Sequence, residues 1–209
     1  MKTAYFWLTP QGKQLAEQLQ AHFGGTVEPK ADFAEAVRRA FADCDALVFV
    51  MATGIVVRTI APLVQSKASD PAVLVLDQRG KHVISLLSGH LGGANAMAEQ
   101  AAAYLGGEAV ITTATDVEHV PAFDLFAKEN HLTIENLEEL KYISGALVAG
   151  EPVSLCTAFP VEKNAFPETV QIQPFSETPP HACAVAIAYT TESVAAPHVL
   201  YLRPNSLVL

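Results

Sequence analysis

The sequence predicts an α/β fold: an open, mainly parallel three-layer sheet with one β-hairpin, followed by a small α+β domain. Three observations predict it. Short apolar runs alternate with amphipathic helical patterns through the first two thirds of the chain. One run, ALVFV at 46–50, is apolar throughout, as a strand buried on both faces must be. After Asp116 the alternation gives way to short strands separated by Pro-rich connections, including Pro179-Pro180.

Residues 3–8 read as a buried strand, and Leu15, Ala16, Leu19 and Phe23 line one face of a helix that Gly24-Gly25 ends. A short strand at 26–28 follows. Phe33, Val37, Ala40, Phe41 and Cys44 then mark a second amphipathic helix leading into 46–50, which completes a βαβαβ series. Thr53 is placed to cap a helix carrying Val56, Val57 and Ile60, which Pro62 stops because it lacks the amide donor. Strands at 72–76 and 82–87 flank Asp77-Gln-Arg-Gly80, whose Asp first and Gly fourth are the signature of a type I turn, so a hairpin is expected. An alanine-rich helix through Leu91, Ala94, Ala98, Ala101, Ala102 and Leu105 ends at Gly106-Gly107, before a strand at Ala109. The first domain is expected to span 1–135. The second, 136–209, takes a helix at 136–148 and strands at 153–157, 170–173, 184–188 and 199–203, after a helix at 121–128; the run 206–209 also reads as strand.

Composition narrows the class of function. Half of the 209 residues are hydrophobic, enough to bury one large core or two smaller ones. The formal charge of −9 argues against a nucleic-acid or anionic-membrane surface, so an anionic ligand must be met by local positive charge. Cys44, Cys156 and Cys183 are far apart and form no CxxC pair, which points to a reducing cytoplasm rather than a disulfide framework or zinc site. The apolar run near the N-terminus is too short for a secretory or membrane segment.

The segment SGHLGGAN, 88–95, puts three glycines and a histidine at a helix entrance, where backbone amides and the helix dipole favour anions. Ligands of open α/β sheets bind beyond the carboxyl ends of the strands. Three loops are expected there together: MATG at 51–54, SGHLGG at 88–93 and TTATD at 112–116. Phosphate would suit such a site too, but neither GxxxxGK[ST] nor an ordered GxGxxG is present. Ser88 lies in SGH rather than in a GxSxG elbow, which argues against a serine nucleophile.

The stretch GIVVRTIAPLVQSKASDPAVLVLDQRGKHVISLLSGHLGGAN, 54–95, with AVITTATD, 109–116, resembles the CbiG family of anaerobic cobalamin biosynthesis. PAFDLFAKENHLTIENLEELKYISGAL, 121–147, continues the resemblance, and YLRPNSLVL, 201–209, is similar to the segment that leads into the family's C-terminal domain. The resemblance implies hydrolysis of the δ-lactone of cobalt-precorrin-5A, with release of acetaldehyde and formation of cobalt-precorrin-5B. It implies no resident cofactor, since the cobalt is carried by the substrate. A C-terminal domain acting in trans and a homo-oligomer are the protein partners it leaves open. A polycarboxylate corrinoid calls for anion contacts and a base. His90 is the candidate for activating water, with an ordinary pKa of about 6.5. Asp116 is the alternative base, or the group that orients His90. Amides of Gly92 and Gly93 suit an oxyanion or a peripheral carboxylate, beside Gly89. Arg58 and Lys67 are the expected carboxylate partners, with Asn95, Thr113 and Thr115 adding hydrogen bonds. Structural roles compete with each of these. His90 can cap its turn, Asp116 can cap a helix, the glycines can serve helix-to-sheet packing, and Arg58 and Lys67 can be solvated surface charges. Two other functions stay open: a corrinoid-binding module without chemistry, and a phosphate- or nucleotide-binding domain.

Overall fold

Strands of almost unbroken apolar character must be covered on both faces, and three of them form the centre of the first sheet. The computed structural model describes residues 1–161, 166–175, 178–189 and 194–205. In it β1 (Thr3–Trp7), β3 (Ala46–Val50) and β4 (Ala72–Leu76) run parallel and buried, apart from half-exposed Trp7. With β2 (Thr26–Val27), β5 (His82–Leu87) and β6 (Glu108–Val110) the order is β2-β1-β3-β4-β5-β6. Helices α1 (Pro10–Phe23) and α4 (Ala94–Leu105) cover one face through Leu15, Ala16, Leu19, Ala98, Ala101 and Ala102. On the other face lie α2 (Phe33–Asp43) and α3 (Thr53–Ile60), with Val37, Ala40, Val56 and Ile60 packed on Phe6, Phe49 and Val75. This is the expected three-layer sheet.

Local chemistry sets the start of α1. Thr9 Oγ1 accepts from the Gly12 amide at 3.0 Å and Pro10 opens α1. The α3 helix begins one residue earlier than expected. Ala52 holds the capping position with no side-chain bond, so Thr53 is the first helical residue rather than the cap.

The hairpin forms as the sequence predicts. Gly80 donates to the Asp77 carbonyl at 2.9 Å, and β5 pairs antiparallel with β4, with a register shift between Val73 and Leu74. β6 then runs parallel to β5. This reversal corrects one expectation. Because β5 and β6 oppose β1, β3 and β4, the loops after them open at the amino edge of the parallel strands. MATG, 51–54, opens at the carboxyl edge. The three loops therefore do not share one edge.

The chain divides into two compact units, Met1–Thr112 and Thr113–Leu209. The break precedes the expected boundary at 135, because β7 (Leu132–Ile134) hydrogen-bonds antiparallel to β11 (His198–Pro204) and so carries its segment into the second sheet. That sheet, order β7-β11-β10-β8-β9, includes β8 (Val153–Thr157), β9 (Val170–Pro174) and β10 (Cys183–Ile187), all parallel with β11. The unit expected as α+β is therefore mainly parallel. Short α5 (Ala114–Val117) precedes α6 (Phe123–Glu129); α6 and α7 (Leu140–Val148) bury Phe123, Ala127, Ile143 and Leu147 against Leu155, Val185 and Leu200. The expected strand at 206–209 lies outside the described residues.

Candidate functional site

The glycine turn is closed by bonds among its own residues. Ser88 adopts a left-handed backbone, φ 58°, and its Oγ donates to the Asp70 carbonyl at 2.9 Å. Gly93 donates to the His90 carbonyl at 3.0 Å, Ala94 to Ser88 and Asn95 to Gly89, both at 3.1 Å. The amides expected to hold an anion at this helix entrance are thus partly spent; Gly93's is not an oxyanion donor. The glycines are sterically required. A Cβ on Gly89 would stand 2.7 Å from Asn95 Oδ1, and one on Gly92 would stand 2.7 Å from the Ser88 carbonyl oxygen. Gly93 has φ 87°. Asn95 is buried and accepts from Ser85 Oγ at 2.6 Å, which ties α4 to β5. His90 is half-buried on this turn.

The other expected residues fall into three places. Lys67 is exposed in the loop before β4, at the same amino edge as the glycine turn. Arg58 instead folds back along α3, its Nη1 donating to the Gly54 carbonyl at 3.0 Å, beside the MATG loop. Thr113, Thr115 and Asp116 belong to the second unit. Thr113 stands at the cap position of α5 without a side-chain cap bond, Thr115 is buried, and Asp116 is helical. The expected capping role of Asp116 is therefore not the one it has. The structure brings Gly89, His90, Gly92, Gly93 and Asn95 together in one turn and sets Arg58 apart from them.

At the carboxyl edge lies a pocket of about 510 Å³, all within the first unit. Leu8 and Thr9 follow β1, Val50 to Thr53 follow β3, and Leu76 to Gln78 follow β4, so it sits where the connections from β1 and β3 diverge to opposite faces of the sheet. Its floor is apolar: Leu8, Val50, Met51, Ile55, Val75 and Ile84. Its polar groups are Thr9, Thr53, Asp77, Gln78 and His82. Asp77 Oδ1 accepts from the Arg79 amide at 2.9 Å and Oδ2 from the His82 amide at 2.7 Å, with His82 Nδ1 3.4 Å from Oδ2. Burial pushes the Asp77 carboxyl up, but the His82 and Arg79 amides and the neighbouring imidazole outweigh it and hold it below the usual carboxylate range. Sequence reading missed His82, taking it only as a strand end; its signal was position, at the mouth of a hairpin beside an Asp.

Fold and pocket together define a doubly wound α/β protein with a pocket at the strand-order switch and a second, mainly parallel unit behind it in sequence. The Cobalamin synthesis G N-terminal family matches residues 35–116, and the Cobalamin biosynthesis central region matches 121–204. The chain belongs to the CbiG family and carries its N-terminal and central regions. It is 44% identical over 165 residues, 73% of this chain and 47% of the relative, to cobalt-precorrin-5A hydrolase of Salmonella typhimurium. With the enzyme of that name from Priestia megaterium it shares 36% identity over 177 residues, 78% of this chain and 47% of the relative. The chain therefore spans about half the length of these curated relatives. A solved structure described as a cobalamin biosynthesis protein G homolog, from Sulfolobus solfataricus, superposes with a TM-score of 0.56 at 25% identity, covering 97% of this chain and 60% of that one. Among the described residues, no helix is long and apolar enough to cross a membrane.

Proposed function

We propose that this chain acts in cobalamin biosynthesis, in the hydrolysis of the δ-lactone of cobalt-precorrin-5A with release of acetaldehyde to give cobalt-precorrin-5B. The observation that carries this reading is the 44% identity to the Salmonella hydrolase over most of the chain. The site chemistry supports it. The cobalt arrives with the substrate, so the protein's task is to hold a flat polycarboxylate and manage protons. Arg58 and Lys67 are exposed cations at opposite edges of the first sheet, suited to carboxylates projecting from a macrocycle much wider than either loop. His90, on a turn made rigid by its own backbone bonds, is the group of that turn for substrate carboxylate or proton, with Gly89, Gly92, Gly93 and Asn95 holding its shape. Thr113, Thr115 and Asp116 lie in the second unit. A cytoplasmic setting accompanies this reading, supported by three free cysteines.

The test is an acetaldehyde assay of this chain with cobalt-precorrin-5A, run alone and with the remaining region of a longer relative added in trans. Acetaldehyde release in either mixture supports the hydrolase; tight binding of the coloured corrinoid without turnover in both replaces it with a binding module. In the active mixture His90→Ala is expected to weaken substrate binding or turnover by about tenfold or more, the scale of one charge-assisted hydrogen bond. Unchanged kinetics remove His90 from the site.

A further inference from the structure

We propose that the pocket at the carboxyl edge of the first sheet is where the lactone is opened, with His82 as the base that activates water and Asp77 as the group that positions it. This rests on the hydrolase reading above and assigns its chemistry to residues at the sheet edge opposite to His90. Four features converge there. The pocket's apolar floor of Leu8, Val50, Met51, Ile55, Val75 and Ile84 suits an edge of a macrocycle and a methyl-bearing two-carbon unit rather than a phosphate. His82 lines it, and the Asp77 carboxylate, fixed by two backbone amides, faces Nδ1 at 3.4 Å, leaving Nε2 as the nitrogen for a ligand. The α3 helix opens on the pocket at Thr53 with no capping side chain; the Ile55 amide is taken up by the Ala52 carbonyl at 3.0 Å, which leaves the Thr53 and Gly54 amides and the helix dipole for a developing oxyanion. Arg58 folds back to Gly54 in that same first turn, placing a cation next to the pocket for a carboxylate.

The step balances on these groups. Water gives a proton to His82 Nε2 and its oxygen bonds to the lactone carbonyl carbon, the carbonyl electron pair moving onto oxygen near Thr53. The tetrahedral adduct collapses, the acyl carbon–oxygen bond breaks with its electron pair on the departing alkoxide, and that oxygen takes the proton back from the imidazolium. One lactone and one water become one hydroxy acid.

Two measurements on the full chain decide the matter. The first does not need turnover: with histidine-labelled protein, adding cobalt-precorrin-5A is expected to shift the His82 imidazole resonance, assigned by its loss in His82→Gln. A His82 signal that stays put while other resonances move overturns the pocket assignment. The second is kinetic. His82→Ala is expected to bind the corrinoid with unchanged affinity and to lose about a hundredfold or more in kcat, the usual scale of a general base, with partial recovery on adding imidazole. Asp77→Asn, which keeps one acceptor for the turn, is expected to lower kcat about tenfold at constant KM. Wild-type kcat in His82→Ala overturns the assignment. An unmodified chain that stays silent in both mixtures refutes the hydrolase reading instead, and the resonance measurement still decides whether the pocket holds the corrinoid.

Discussion

Individual side chains in this protein are held to narrow tolerances. Gly92 shows how narrow. A Cβ there would lie 2.5 Å from Ser88 Cβ and 2.7 Å from the Ser88 carbonyl oxygen, a backbone atom that in turn accepts the Ala94 amide. Gly92→Ala is therefore expected to destabilise the first unit by about 2 kcal/mol, as overpacking against backbone does, and to show it as a lowered midpoint in urea. Tyr5 makes the opposite case. Its hydroxyl is buried without a hydrogen-bond partner among the described residues, and burial pushes its pKa up. Removing an orphaned hydroxyl is favourable, so Tyr5→Phe is expected to raise the melting temperature, with a gain of about 1 kcal/mol. A lower melting temperature would mean that the hydroxyl has a bound water. The glycines were legible in sequence as an unusual cluster; their reason was not, since it depends on Asn95 and Ser88 returning to the same point.

The β4–β5 hairpin is the element on which the site turns. Asp77 closes it by accepting from two backbone amides, and this depresses its pKa. A carboxyl depressed in the folded state contributes stability that is full above its ordinary pKa of 3.8 and is lost as pH falls through the depressed value. Wild type is thus expected to melt higher than Asp77→Asn at pH 7, with the gap narrowing towards pH 3 in parallel thermal scans. A gap independent of pH would show that the turn depends on shape rather than charge. The hairpin was readable from Asp77 and Gly80 alone, because turn preference is local. So were the bounds of β3, β4, β5 and β8. β7 was not, since three residues between a left-handed His131 and a loop carry no periodicity, and only the register with β11 makes them a strand.

Across the whole molecule, each compact unit has its own buried core. Phe6, Phe49 and the α1 to α4 contacts belong to the first, while Phe123, Ile143, Leu155 and Leu200 belong to the second. A fragment of residues 1–112 is expected to fold cooperatively by itself, giving a single urea transition with dispersed amide resonances. A fragment that stays unfolded would mean that the first core is incomplete without residues beyond 112. Charge at this scale, a net of −9, is unfavourable to a polycarboxylate, so on the proposed reading such a ligand would depend on local cations such as Arg58 and Lys67.

Sequence by itself determined the alternation of strands and helices, the hairpin, the glycine-rich helix entrance and the family, because periodicity, turn chemistry and motif are all properties of neighbouring residues. Tertiary structure alone decided which loops share an edge. A hairpin reverses the direction of every strand after it until the chain crosses back, so β5 carries SGHLGG to the amino edge, β6 ends at that same edge, and MATG is left with Asp77, Gln78 and His82 at the other. It also decided which amides are free to meet a ligand, since the bonds that occupy Gly93, Ala94 and Asn95 form only when the turn folds back over the first residues of α4.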